Sequence, residues 1–209
     1  MSLRPDDFEI IHNEVRLICE TWNLVLDLFK EDEDIEVLDQ SGSTAWALIG
    51  NALLDSILLS LTRLVDNNKK TMRLQRIVSA SSDANLRQKL EFQLNEFEWK
   101  AAPFIKHRNR RVAHRNQKVA RGESVLPMIS FDDFESLLGD LRQLMNTVYQ
   151  SREDSVFAYD LTSRIGDGRE VLNCLRNGLR LSALREAAWD GSRTEKELLA
   201  ELRKYPSAG

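Results

Sequence analysis

The sequence predicts an all-α fold: an up-and-down helical bundle of four to five long helices with a C-terminal helical extension. Three observations carry this. Among 209 residues there are only 9 Gly and 4 Pro, so few breakers that long helices have room and a many-turned β protein is disfavoured. Apolar residues recur at three- and four-residue spacings over several long stretches, the period of an amphipathic helix. No run of alternating residues reads convincingly as a strand, and there is no internal repeat or low-complexity segment. The length suits one domain with an appendage and a substantial core.

Pro5 and Asp6–Asp7 suit a first helical turn. Phe8, Ile11, Val15, Ile18, Trp22, Val25 and Phe29 then form one apolar stripe. The acidic run "EDEDIEVLDQSG" is expected to end that helix. Ser43 or Thr44 caps a second one, reaching about Val65. This second helix is apolar most of the way round, as at the centre of a bundle, and Asn51, Asp55 and Ser56 make "AWALIGNALLDSILLSL" too polar for a membrane span. "DNNKK" is a turn and "TMRLQRIV" a short helix. Asp83 opens a third long helix with Leu86, Leu90, Leu94 and Phe97 as its stripe, interrupted at Pro103 by a kink or break. Beyond the loop "RGESVLPMIS", Ser130 caps a helix with Asp132–Asp133 in its first turn and a stripe of Phe134, Leu137, Leu138, Leu141, Leu144 and Val148. Residues 167–189 and 193–205 read as further helices bounded by Gly166, Gly168 and Gly191. Two domains result: a bundle over 1–150 and a helical extension over 151–209, packing on the bundle or on a dimer partner.

Net charge is −4, but its distribution is uneven. Residues 99–121 carry Lys100, Lys106, Arg108, Arg110, Arg111, Arg115, Lys118 and Arg121 and no acid, which leaves 21 basic against 33 acidic residues elsewhere. A field of one sign on an acidic body points to an anionic partner. Cys19 and Cys174 lie far apart among apolar neighbours and are expected as buried free thiols of a reducing cytosol, with no metal site implied. No signal peptide is expected at the start of the chain.

Within the basic stretch, Arg108, Asn109 and His114 form R-N-x-x-x-x-H. Metal-independent RNA cleavage needs these residue types. The 2′-hydroxyl attacks the adjacent phosphate, so one group accepts a proton and another protonates the leaving 5′-oxygen. A histidine with an ordinary pKa of about 6.5 serves either step. Charge gathering on phosphoryl oxygens is met bidentately by a guanidinium. Asn109 either donates to a phosphate oxygen or fixes the rotamer of Arg108. Six residues on an ideal helix turn through roughly 240° beyond whole turns, so Arg108 and His114 do not share a face. Either the local turn is irregular or the site uses two chains. Lys106, Arg110, Arg111 and Arg115 are the RNA-binding candidates, Arg110 and Arg111 lying within one turn of His114. Asn51 and Asp55, at i, i+4 in an apolar helix, either support the arginine or make a structural hydrogen bond. Arg63 and Asp66 suit a helix-end ion pair, and His12 a solvated position. Trp22, Trp46, Trp99 and Trp189 lack the interleaving of a stacking platform and read as core or interface residues. The competing reading of the whole stretch is a solvated basic helix end.

Residues 1–150 resemble a HEPN domain (higher eukaryotes and prokaryotes nucleotide-binding). "RNRRVAH" matches that superfamily's Arg-x(4–6)-His motif with Asn109 at its frequent polar position. With "LLDSILLSLTRLVD" preceding it, the chain is similar to the branch associated with abortive phage infection. The resemblance implies a helical bundle, homodimerisation and metal-independent RNA cleavage where two motifs meet, with Arg108 and His114 as the catalytic pair and Asn109 their support. It implies RNA and a second copy as partners, with an antitoxin protein as a further one, in a cytoplasmic protein needing no cofactor and no membrane. No tyrosine stands two residues beyond His114, so tyrosine-modification control is not carried over. The alternative function is a non-catalytic RNA- or nucleotide-binding HEPN module, or a helical adaptor.

Overall fold

A computed structural model describes residues 5–66, 71–109, 129–161, 167–191, 194, 196–197 and 200. Among them are six α-helices, one 3₁₀ turn and no strand. The helices are α1 (Pro5–Phe29), α2 (Asp32–Leu64), α3 (Leu74–Ala80), α4 (Ala84–Arg108), α5 (Phe131–Glu153) and α6 (Asp167–Trp189), with the 3₁₀ turn at Tyr159–Leu161. The protein is an all-α helical bundle. Its contacts divide it into two compact units, Met1–Val25 with Ile49–Ile165, and Leu26–Leu48 with Gly166–Gly209.

In the first unit the predicted stripe of α1 is the core: Phe8, Ile11, Val15, Ile18, Trp22 and Val25 are all buried. On α5, Phe134, Leu137, Leu138, Leu141, Leu144 and Val148 are buried as their spacing requires, together with Met145. Leu90, Leu94, Phe97, Ala101 and Phe104 form the buried face of α4. Side-chain pairs fix the register. Trp22 stacks on Phe134 at the start of α5 and Phe8 meets Tyr149 near its end, so α1 and α5 are antiparallel. Lys100 pairs with Asp140 at 2.7 Å, and Phe104 meets Phe134 edge-on at 4.9 Å. α4 and α5 are therefore also antiparallel, and the end of α4 lies beside the start of α5.

The predicted helix starts at Asp83 and Ser130 are capped, whereas Ser43 and Thr44 lie inside α2 and cap nothing. Asp83 Oδ1 accepts from the Asn85 and Leu86 amides, and Ser130 forms a reciprocal capping box with Asp133. These bonds satisfy amides that the first helical turn leaves without intrahelical acceptors.

Several expectations need correcting. The acidic run does not end the helical path. Asp32, Glu33 and Asp34 instead occupy the first turn of α2, where negative charge is favourable. The junction near Ser43 is a bend at Gly42, whose φ of 150° and ψ of 70° suit a residue without Cβ. Beyond Gly42, only the C-terminal part of α2 is core, with Ile57, Leu58, Leu61 and Leu64 buried. Leu48 is 66% exposed and Ile49 40% exposed. By length and composition α2 could cross a membrane, and 22% of its most apolar stretch is buried. Pro103 does not break α4, which continues to Arg108. Its missing N–H removes a single intrahelical bond, while Ala101 and Phe104 on either side stay packed.

His12 is buried, its Nδ1 2.7 Å from the Tyr159 hydroxyl and its ring edge-on to Phe157. Burial lowers its pKa, with Arg16 assisting and Glu9 opposing. The helical pattern misplaced it because the aromatic partners come from beyond residue 150. Arg63 pairs with Glu14 at 2.7 Å and with the Ser60 hydroxyl, across to α1 rather than along its own helix to Asp66. Trp99 and Trp189 are not core residues, at 74% and 94% exposed. The "DNNKK" turn beyond Asp66, nearly all of "RGESVLPMIS" and most of 193–205 lie outside the described residues.

In the second unit, Leu38 and Leu172 are fully buried. So is Asp34, which accepts from Arg169 at 2.9 Å and from Arg176. A carboxylate taken out of water needs such charged partners. Gly168 packs so closely on the Asp27 side chain that an added Cβ would collide with it. Cys174, expected buried, is exposed, because α6 buries a narrow set of positions that includes Leu172 and Leu184 but not 174.

Candidate functional site

The site is built on the last two turns of α4. That end is cationic, with Lys106, His107 and Arg108 in its final turn. Phe104 anchors it by packing on Phe134, which in turn stacks on Trp22. The Trp22 indole N–H donates to Glu135 Oε2 at 2.6 Å. Arg108 therefore leaves a helix whose preceding turn is held by an aromatic core.

Arg108 is half-buried and Nη1 donates to Asn109 Oδ1 at 2.9 Å. This is the rotamer-fixing arrangement, with a neutral amide as acceptor. No carboxylate pairs with Arg108 among the described residues, and its buried Nε has no hydrogen-bond partner there. Among the described residues the guanidinium thus meets a neutral acceptor and has further N–H donors beside Nη1. Lys106 is exposed and His107 half-buried. His114, Arg110, Arg111 and Arg115 lie outside the described residues. Asn51 is exposed and Asp55 half-buried on α2.

At the start of α5, Asp133 Oδ2 accepts from the Ser130 amide at 2.8 Å and from its hydroxyl at 2.7 Å. The backbone bond first, and the hydroxyl second, hold the Asp133 carboxyl below its ordinary pKa. Between this helix start and α4 opens a cleft of about 820 Å³ lined by Trp99, Lys100, Pro103, Phe104, Lys106 and Asp133, among others. Sequence reasoning missed it, because it depends on which face of α4 meets α5. Among the described residues no group of three His, Cys, Asp or Glu side chains is placed to hold a metal ion.

The chain is thus a helical bundle in which one long helix ends on Arg108, with Asn109 as its C-cap. The AbiU2 family model of HEPN domains matches residues 7–171, most of the chain, and the protein belongs to that abortive-infection-related family. Neither the curated proteins nor the solved structures contain a match to it.

Proposed function

We propose that this protein is a metal-independent endoribonuclease of HEPN type that acts in phage defence or as a toxin. The observation that carries the reading is Arg108, fixed by the Asn109 amide and unpaired with any carboxylate among the described residues. A structural arginine is ordinarily neutralised, and one left cationic at a helix end is suited to a phosphate.

In this reaction the RNA 2′-oxygen attacks the neighbouring phosphorus and the 5′-oxygen leaves, giving a 2′,3′-cyclic phosphate and a 5′-hydroxyl. His114 moves the proton at one of the two oxygens. Arg108 meets charge on the non-bridging oxygens as it develops, and Asn109 keeps the guanidinium in position. Arg110, Arg111, Arg115 and Lys106 hold flanking phosphates. On an ideal helix Arg108 and His114 would face different ways, which favours a homodimer in which both chains contribute to one cleft. Asn51 and Asp55 are supporting residues in this proposal, and a toxin role implies an antitoxin protein that masks the cationic end.

The test is cleavage of single-stranded RNA by purified protein in EDTA, with the product ends analysed. Cyclic phosphate ends that disappear in both Arg108→Ala and His114→Ala support the reading. Cleavage that survives both substitutions removes it, and salt-sensitive binding without cleavage by clean protein favours a non-catalytic RNA-binding module.

A further inference from the structure

The cleft beside the cationic end of α4 has its own chemistry. Trp99, Pro103 and Lys106 are spaced i, i+4, i+7, so they share one face of α4. All three line the cleft, as do Ala102 and Phe104. Trp99 is 74% exposed, an unusual state for the largest apolar side chain on a helix whose Leu90, Leu94 and Phe97 are buried. Pro103 has no N–H for the Trp99 carbonyl, which leaves that acceptor outside the helical ladder. The cleft thus offers an aromatic face, an apolar floor and backbone and side-chain polar groups at its edge, within a volume of about 820 Å³, the size range of small-ligand sites.

Its charges are arranged unequally. Lys100 is committed to Asp140 at 2.7 Å. Lys106 has no ion-pair partner among the described residues and stands two positions before Arg108. Asp133 uses Oδ2 for both Ser130 bonds, leaving Oδ1 as an acceptor suited to an amino group rather than to a phosphate. An aromatic face in one cleft with a cation that has no ion-pair partner among the described residues and with a carboxylate acceptor fits a nucleobase and its phosphate. The eight cations and no acid of residues 99–121 favour a polyanion along this end of α4.

We propose that the cleft lined by Trp99 and Lys106 is a nucleobase subsite for single-stranded RNA, with Trp99 as the stacking platform and Lys106 on the adjoining phosphate. Trp99 stands nine residues before Arg108, about 13 Å along the helix axis. The base held there is therefore a neighbour along the strand, not one flanking the bond that would be cut. The proposal rests on the reading of this protein as RNA-directed, but not on its cutting RNA.

The probe is a short 2′-O-methyl oligoribonucleotide, which lacks the attacking hydroxyl and cannot be cleaved by this chemistry. Its affinity is measured by fluorescence anisotropy at several salt concentrations, with folding checked by circular dichroism. Trp99→Ala is expected to weaken binding about 5- to 100-fold, the effect of one lost base stack, with the salt dependence unchanged. Trp99→Phe retains most of the affinity. Lys106→Gln lowers the slope of log K against log salt by about 0.7, and Trp189→Ala, in the other unit, changes nothing. Wild-type affinity in folded Trp99→Ala overturns the proposal, as does absence of binding by the wild-type protein. If Trp99→Ala dissociates a dimer while RNA affinity holds, the cleft is a protein contact and the proposal fails. A stacking effect in a protein that never cleaves RNA upholds the subsite and removes the ribonuclease reading, so the two fail separately.

Discussion

Arg108 and Arg142 stand in the same unit and are built to opposite ends. Each has a buried Nε without a hydrogen-bond partner among the described residues. Arg142, in the middle of α5, donates to Glu135 at 2.7 Å, and Glu135 also accepts from Trp22. Burial works against the Arg142 charge, yet the bonds to Glu135 and Cys19 more than offset it and its pKa lies above the ordinary value. Among the described residues, Arg108 has the neutral Asn109 amide as its partner. One arginine is part of how the helices hold together, and the other has its charge left over. Partner chemistry, not burial, is what distinguishes the guanidinium paired within the bundle from the one proposed to meet RNA.

The comparison can be broken most sharply at the arginines themselves. Arg108→Ala should lower RNA cleavage about 10²- to 10³-fold, the usual cost of losing a donor to developing charge, while thermal melting stays close to wild type. Equal losses of activity and stability would mean Arg108 is structural. Arg142→Ala should do the reverse. It leaves Glu135 and the Trp22 region short of a charged partner, and about 1–3 kcal/mol of stability is lost in denaturant titration, with cleavage per folded molecule retained.

Asn109→Asp sharpens the contrast by giving Arg108 the kind of partner Arg142 already has. Cleavage should fall at least about tenfold, since an adjacent carboxylate offsets the charge offered to phosphate, and melting temperature should hold or rise slightly. An unchanged rate would show that the neutrality of Asn109 is incidental.

A smaller effect comes from a third buried polar group of this unit. His12 has its pKa lowered by burial, so the unfolded chain binds the proton more readily than the folded one. Its contribution is fully present above about pH 6.5 and is lost as pH falls below that value towards the folded pKa. Melting temperature should drop over this interval, and His12→Gln should flatten the drop. An identical pH profile in the variant would assign the dependence to other groups.

The parts of the molecule legible in the sequence are those governed by neighbours a few residues apart. The stripe of α5, that of α1 up to Val25 (Phe29 is half-buried and Leu28 is buried instead), and the caps at Asp83 and Ser130 follow from helical period and first-turn chemistry and are present. What the sequence hid depends on distant segments. His12 is buried because Phe157 and Tyr159 cover it, and Arg63 finds Glu14 on another helix. Trp99 is exposed because α4 turns Leu90, Leu94 and Phe97 inward. At the candidate site, the Arg108–Asn109 bond was one of two roles the residue types allowed. The cleft beside it was not legible, because it exists only once α4 and α5 are paired.

The antiparallel pairing of α4 and α5 has an electrical consequence. The carbonyl end of α4 lies beside the amide end of α5, so the partial charges of the two backbone termini oppose and largely offset one another. Asp133 further occupies the amide end. An anion proposed to bind here would therefore draw little on the backbone. Its attraction would come from side chains such as Lys106 and Arg108, so each substitution there should register directly in affinity, with no fixed background field to mask it.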